Sequence, residues 1–182
     1  MMALLWTPCI GQKKYEREYD IRQNDVPKRA LDFVSSVFKN AKINWYGEES
    51  LTGKSIEAKL KDSGKRYSIE FDESGKIQDI EILSSMGKID TQIRNIIKDN
   101  LSNAFSKYKV TKTQIQWNGS ESELKKALLA DKLPGEIVVR YEMVVRGTRG
   151  KKAGYFEVLF ESNGSVTSIK EIVQRNADNL IY

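Results

Sequence analysis

Tyr67-Ser68-Ile69-Glu70-Phe71-Asp72-Glu73-Ser74-Gly75-Lys76-Ile77-Gln78-Asp79-Ile80 is the stretch whose reading decides the fold. Apolar side chains at Tyr67, Ile69 and Phe71 alternate as in a half-buried strand, Asp72 to Gly75 supply turn chemistry, and Ile77 opens a returning strand. The same design recurs as Phe156-Glu157-Val158-Leu159-Phe160-Glu161-Ser162-Asn163-Gly164-Ser165-Val166-Thr167-Ser168-Ile169. In both, the last apolar step, Ile77 to Ile80 and Val166 to Ile169, is three residues instead of two. A β-bulge in each returning strand accounts for the odd step.

Working outward, Lys42-Ile43-Asn44-Trp45-Tyr46-Gly47 aligns with Gln114-Ile115-Gln116-Trp117-Asn118-Gly119. Ahead of the first segment, Ala30, Phe33, Val34, Val37, Phe38 and Ala41 keep to one helix face, with Pro27 in the first turn and Asn24 or Asp25 as cap. Ahead of the second, Ile89, Ile93, Ile96, Ile97, Leu101, Ala104, Phe105 and Tyr108 predict a longer helix capped by Asp90. Between the first and second strands of the later part, Ser120 and Glu123 have capping-box spacing, Leu124, Ala127 and Leu128 follow, and Leu133-Pro134-Gly135 stops the run. An inserted short helix is expected within residues 120–133. The fold class is therefore α+β: a helix followed by four antiparallel strands, repeated in tandem, with the sheet covered on one side by helices.

The chain has 182 residues, 40% of them hydrophobic and 30% charged, which permits a sizeable core and excludes general disorder or a membrane bundle. With no histidine, Ser-His and Cys-His catalytic pairs and histidine-ligated zinc are excluded. A single cysteine, Cys9, leaves no internal disulfide and no cysteine-only metal site. No cofactor, no metal and no enzymatic activity are expected; an enzyme would need carboxylates, Lys, Tyr or Ser to act without histidine. The net charge is +5, and because acidic and basic residues balance up to Met86, the excess lies in the second half. Arg140, Arg146, Arg149, Lys151 and Lys152 there meet only Glu142.

Residues 1–12 are uncharged and run abruptly into Lys13-Lys14-Tyr15-Glu16-Arg17-Glu18, as at the apolar end of a secretory signal peptide. A basic start is missing and the apolar run is short, which a start codon further upstream would explain. Export by lipidation at Cys9 is disfavoured by Trp6-Thr7-Pro8, since a lipobox wants small residues; an ordinary buried N-terminal segment is the remaining reading. The expectation is a truncated signal peptide over residues 1–12 and a periplasmic or secreted protein. No other segment is long enough to span a bilayer.

A helix opened by Val26-Pro27, then Lys42-Ile43-Asn44-Trp45, then the stretch quoted first, resembles the PepSY-like family of bacterial envelope proteins. The family is similar in fold to the β-lactamase-inhibitor protein, in which tandem α+β repeats share one curved sheet. The resemblance covers about residues 24–173 and implies a first repeat at 13–86, a second at 87–173 and a C-terminal tail at 174–182. It also implies export, association with peptidases or their inhibition, and no catalytic residues to carry over.

Four features compete for a role. Asp72-Glu73-Ser74-Gly75 offers a carboxylate pair or part of a calcium loop, but Glu161-Ser162-Asn163-Gly164 at the matching place reads as a turn, and so does this one. Glu48-Glu49 reads as a solvated loop. Trp45 and Trp117 lie two residues after an isoleucine, hence on the helix-covered core face, with partner contact as the alternative. Arg146, Arg149, Lys151 and Lys152 gather at a hairpin tip that serves solubility or engages an acidic protein surface or anionic headgroups. The partner-binding candidates are thus Arg146, Arg149, Lys151, Lys152, Trp45 and Trp117. They would recognise a protein or peptide of the cell envelope, a peptidase in the sharpest version, through the sheet face and the tip. The alternative is a structural or anionic-surface-binding envelope protein; nucleic acid is disfavoured by the lack of interleaved aromatic and basic residues.

Overall fold

Among the described residues, strand periodicity and turn chemistry together produce a single ten-stranded sheet with three helices on one face. The computed structural model describes residues 12–51, 53–130 and 135–173. In chain order the elements are β1 Gln12–Lys14, β2 Glu16–Asp20, α1 Lys28–Val37, β3 Ile43–Ser50, β4 Gly53–Asp62, β5 Lys65–Asp72 and β6 Ile77–Leu83. Then come α2 Thr91–Ala104, β7 Lys107–Asn118, α3 Glu121–Ala130, β8 Val138–Arg149, β9 Lys152–Glu161 and β10 Val166–Ile172. The expected leader at 1–12, Gln12 apart, and the tail at 174–182 lie outside the described residues, as do the last positions of the inserted helix.

The local signals act where they were read. Asp90 accepts from the backbone N–H groups of Gln92 and Ile93, and Ser120 Oγ accepts from Glu123 N, so both helix starts are capped by side chains. Asp72 Oδ1 accepts from Ser74 N, Ser74 Oγ and Lys76 N, which makes residues 72–75 a turn. These hydrogen bonds hold the Asp72 carboxyl below its ordinary pKa. Bulges fall at Gln78, where Glu70 faces Asp79 but Phe71 faces Ile77, and at Thr167, between the partners Phe160 and Leu159.

Three details depart from the sequence reading. Neither Asn24 nor Asp25 caps α1; they lie in a short 3-10 turn, and Pro27 takes the cap position. α2 stops at Ala104 because Phe105 is already extended, so β7 begins earlier than the Trp117 segment implied. Glu48 and Glu49 belong to β3 rather than to a loop.

The largest departure is at residues 12–20. The strand order is β1-β10-β9-β8-β7-β6-β5-β4-β3-β2, so the first two strands stand at opposite edges although Tyr15 alone separates them. Lys14 lies beside Ile172 and Glu16 beside Ser50, and two residues reach no further than about 7 Å. The edges therefore meet, and residues 12–20 act as one strand that closes the sheet on itself. The closing pair β1–β10 is parallel, so the sheet is mixed rather than antiparallel. A further bulge at Thr111 adds curvature to β7.

All three helices pack on the outer face. Ala30, Phe33 and Val34 of α1 and Leu124 and Ala127 of α3 meet Ile69, Phe71 and Ile80. Ile97 and Leu101 of α2 meet Met143, Val145, Phe156 and Val158. Gly164 lies under α2 at φ +84, with its carbonyl accepting from Asn100 Nδ2 at 2.9 Å. Asn100→Ala is expected to cost about 1 kcal/mol in urea unfolding, the usual net value of such a bond.

Candidate functional site

Closure turns the helix-free face into an interior, and the polar half of each strand alternation lines it. Glu57, Glu81 and Glu157 are 5%, 7% and 5% exposed, and Ser68, Gln114 and Gln116 are also buried. These residues sit in register on one face: Glu57 beside Glu70, Glu70 beside Asp79, Glu81 beside Gln116 and Ser68. Buried carboxylates need compensation, and the interior provides it unevenly.

At one side Lys59 binds both Glu18 and, at 3.0 Å, Glu57, with its ammonium 4.8 Å from the centre of the Tyr46 ring. Burial opposes the Lys59 charge, but Glu57 and Glu18 outweigh it and raise its pKa. Ser68 Oγ donates to Glu57, whose own pKa is raised by burial despite Lys59. At another side Lys14 binds Glu157, which Lys170 approaches at 3.6 Å. Strand closure thus places the Lys14 cation inside.

Between these pairs lie Glu70, Asp79, Glu81 and Glu142. Oxygens of Glu70, Asp79 and Glu81 come within 4.8 Å of one another. Gln114 Nε2 donates to Glu81 at 2.5 Å and Gln116 Nε2 to Asp79 at 3.3 Å, while Asp79 Oδ1 is buried with no hydrogen-bond partner among the described residues. Burial first, then neighbouring carboxylates, pushes Glu70 and Glu81 well above the usual carboxylate range and Asp79 up to about 7. Glu142 is likewise raised, by burial first and then by the charge of Glu157. Oxygen trios of this kind also match the donors a hard cation such as Ca²⁺ takes. The sequence reading missed this cluster because it expected the helix-free face to be open, where alternating Glu and Gln are simply solvated.

The second site is the end of the β7–β8–β9 layer. β8 and β9 meet at the two-residue turn Gly150-Lys151, which places Arg146, Arg149, Lys151 and Lys152 together as the sequence indicated. The register adds two cations that it did not: Lys109 pairs with Arg146 and Lys107 with Thr148. It also engages one, since Lys152 Nζ is 3.2 Å from Glu171. Lys107, Lys109, Arg146, Arg149 and Lys151 have no ion-pair partner among the described residues.

Trp45 and Trp117 are elsewhere. They are 6% and 8% exposed in the core beneath α1 and α3, and Trp45 packs 6.1 Å from Phe71 between ring centres. Both indoles thus lie on the helix-covered core face. Surface clefts lie elsewhere again: one of about 450 Å³ between α1 and α3 is spanned by the 2.8 Å Arg29–Glu121 pair, and no interior carboxylate lines it.

No family model matches the sequence, and no curated protein is similar to it in sequence. Solved structures are similar to it in shape. A BLIP-like protein from Bacteroides fragilis is 14% identical at a TM-score of 0.52, covering 86% of this chain and 92% of that one. A DUF2874 family protein from Bacteroides ovatus is 11% identical at 0.55, covering 85% and 93%. Another from Bacteroides uniformis is 11% identical at 0.53, covering 80% and 89%. At these identities the likeness shows the fold alone, which is BLIP-like.

Proposed function

We propose that the chain is a non-enzymatic binding module of the bacterial cell envelope that engages an acidic protein or peptide surface through its basic end. One observation carries the reading: five cations from β7, β8 and the turn before β9 stand together without carboxylate partners among the described residues. Clustered unpaired charge costs self-repulsion, which a complementary partner relieves and which also speeds encounter. The BLIP-like fold is compatible with protein recognition, and a peptidase that the module inhibits is the sharpest form of the idea. The sheet face, turned inward, is not part of the surface proposed here. PepSY kinship and descent from a duplicated helix and four-strand unit belong to the same reading. They are supported by bulges at the aligned positions Gln78 and Thr167 and by glycine turns beneath α1 and α2.

Capture from envelope extract tests this, with residues 13–182 as bait beside a variant carrying Arg146→Ser, Arg149→Ser, Lys151→Ser and Lys152→Ser. The expected result is a protein held by the first bait at low salt and lost by the variant, its affinity reduced at least tenfold. Binding of the native bait to vesicles rich in anionic lipid, with no protein captured, favours the surface-binding alternative. Equal capture by both baits removes the basic end from the reading. Absence of inhibition against envelope peptidases at micromolar concentration removes only the peptidase form.

A further inference from the structure

We infer that an extended acidic segment of the partner adds to the sheet as an extra strand along the free edge of β7, with carboxylates at every second position and β-branched residues between them. This rests on the acidic partner proposed above and adds how it is held. β6 covers only the second half of β7. Their ladder runs from the Ile80–Trp117 partners to Leu83 beside Gln114, and one more bond joins Ser84 N to Thr113 O. The chain then leaves the sheet for the 3-10 turn Met86–Lys88. From Lys107 to Lys112, about 20 Å of strand, β7 therefore has a ladder partner on one side alone, β8, among the described residues. Backbone donors and acceptors on the other side point into the gap beyond the end of β6, where an extended chain can take them up.

Side chains along this edge decide which chain fits. Tyr108 and Val110 pack outward against the α2 core, whereas Lys109 lies opposite Arg146, which alternates with the outward Val145 and so faces inward. Lys107, Lys109 and Arg146 are all exposed, so the inward face is open to solvent at the gap. Arg66, one residue past the Tyr67–Ile82 partners, adds a cation where β6 stops. Edge lysines and a bulge, here at Thr111, ordinarily keep strands from pairing, because covering an unpaired ammonium is costly. A strand with carboxylates on its inward face reverses that sign. Opposite charges directly across a ladder attract, so the lysines that turn other strands away admit this one. β6 already has the pattern, with Asp79 and Glu81 inward and Ile80 and Ile82 in the core beneath α1.

The probe is a labelled peptide alternating glutamate and valine, titrated into the full chain at low salt. It should bind, and a lysine–valine peptide should not. Methylating alternate backbone nitrogens, in two separate peptides, removes the ladder donors of one peptide edge at a time. One methylated peptide should lose at least about tenfold in affinity and the other little, since each lost backbone bond is worth a factor of several. Hydrogen exchange should show new protection at amides between Lys107 and Thr111 when the peptide binds. Lys107→Glu with Lys109→Glu should exchange the preference, so that the lysine–valine peptide binds instead. Strand addition is overturned when both methylated peptides bind as tightly as the parent, or when protection appears only around Arg149 to Lys152. In either case an acidic partner held by charge alone at the basic end still stands. A glutamate–valine peptide that does not bind the native chain also overturns it, while capture from envelope extract decides the acidic partner separately. The methylated peptides are compared on the native chain, so their result stands even where the charge-reversed variant does not fold.

Discussion

Gly75→Val should lower the unfolding free energy by about 4 kcal/mol. Gly75 has φ +79, a region that side chains enter at a cost of about 1–3 kcal/mol. A Cβ there would lie 2.9 Å from Pro27 Cβ and 3.0 Å from Ala30 N, at the first turn of α1, and overpacking of this sort costs about 1–3 kcal/mol more. Neither neighbour can step aside. Pro27 is the cap residue, and Ala30 N donates to its carbonyl at 3.0 Å. Gly75 thus does two jobs with one missing methyl group, closing the β5–β6 turn and letting α1 sit on it. Gly164 repeats the arrangement at φ +84, where a Cβ would meet Ile93 O at 3.1 Å. Gly87→Ala is the control, because that position has no positive φ and its nearest neighbour is Ser85 Oγ at 3.8 Å. Urea midpoints measure all three. A Gly75→Val chain within 1 kcal/mol of the native one would show that α1 is free to lift off the turn, contrary to the packing described.

What the sequence could disclose follows from how far each signal reaches along the chain. The Asp72 and Asn163 turns, the caps at Asp90 and Ser120 and the bulges at Gln78 and Thr167 depend on residues a few positions apart, and all were legible. Trp45 and Trp117 were legible as core because the alternation ties them to Ile43 and Ile115. The end of α2 was not. Phe105 packs into the α2 core and Tyr108 returns its hydroxyl to Lys98 O at 3.4 Å, so both continue the apolar spacing from a strand that folds back beneath the helix. Periodicity cannot distinguish the two cases. Closure was hidden for a stronger reason. Residues 12–20 carry mostly charged side chains, and their place depends on partners at Ile172 and Ser50, far away in sequence. Everything that rests on closure was hidden with it: the interior setting of Glu57, Glu81, Glu142 and Glu157, and the entry of Lys14. Lys107 and Lys109 were missed because joining them to the basic end requires the β7–β8 register across its bulge.

The folded chain should lose stability as pH rises from about 4 to about 8, the reverse of the usual acid denaturation. Asp79 decides the window. Its folded pKa, pushed up by burial and then by Glu142, is about 7, against 3.8 for an ordinary aspartate. A carboxyl raised in the folded state contributes stability that is fully present below the unfolded pKa and lost as pH rises through the folded one. At about 1.36 kcal/mol for each pKa unit, Asp79 alone accounts for about 4 kcal/mol across that range. Glu70, Glu81, Glu142 and Glu57 are raised by burial as well and add loss in the same direction. Asp72 and Glu161 are lowered by hydrogen bonds, but both are solvent-exposed carboxyls whose opposing contribution water screens. Urea unfolding at steps across this range should therefore place the highest midpoint on the acid side. Asp79→Asn should flatten the profile and gain most at about pH 8, where the native chain must hold an ionised carboxylate beside Glu142. A native midpoint that stays level or rises between about pH 5 and about pH 8 would mean that the interior keeps its carboxylates charged, balanced by Lys14 and Lys112 or by a bound cation. The same profile repeated with a chelator, and with added calcium, then separates those two forms of balance, since only the second responds to the metal.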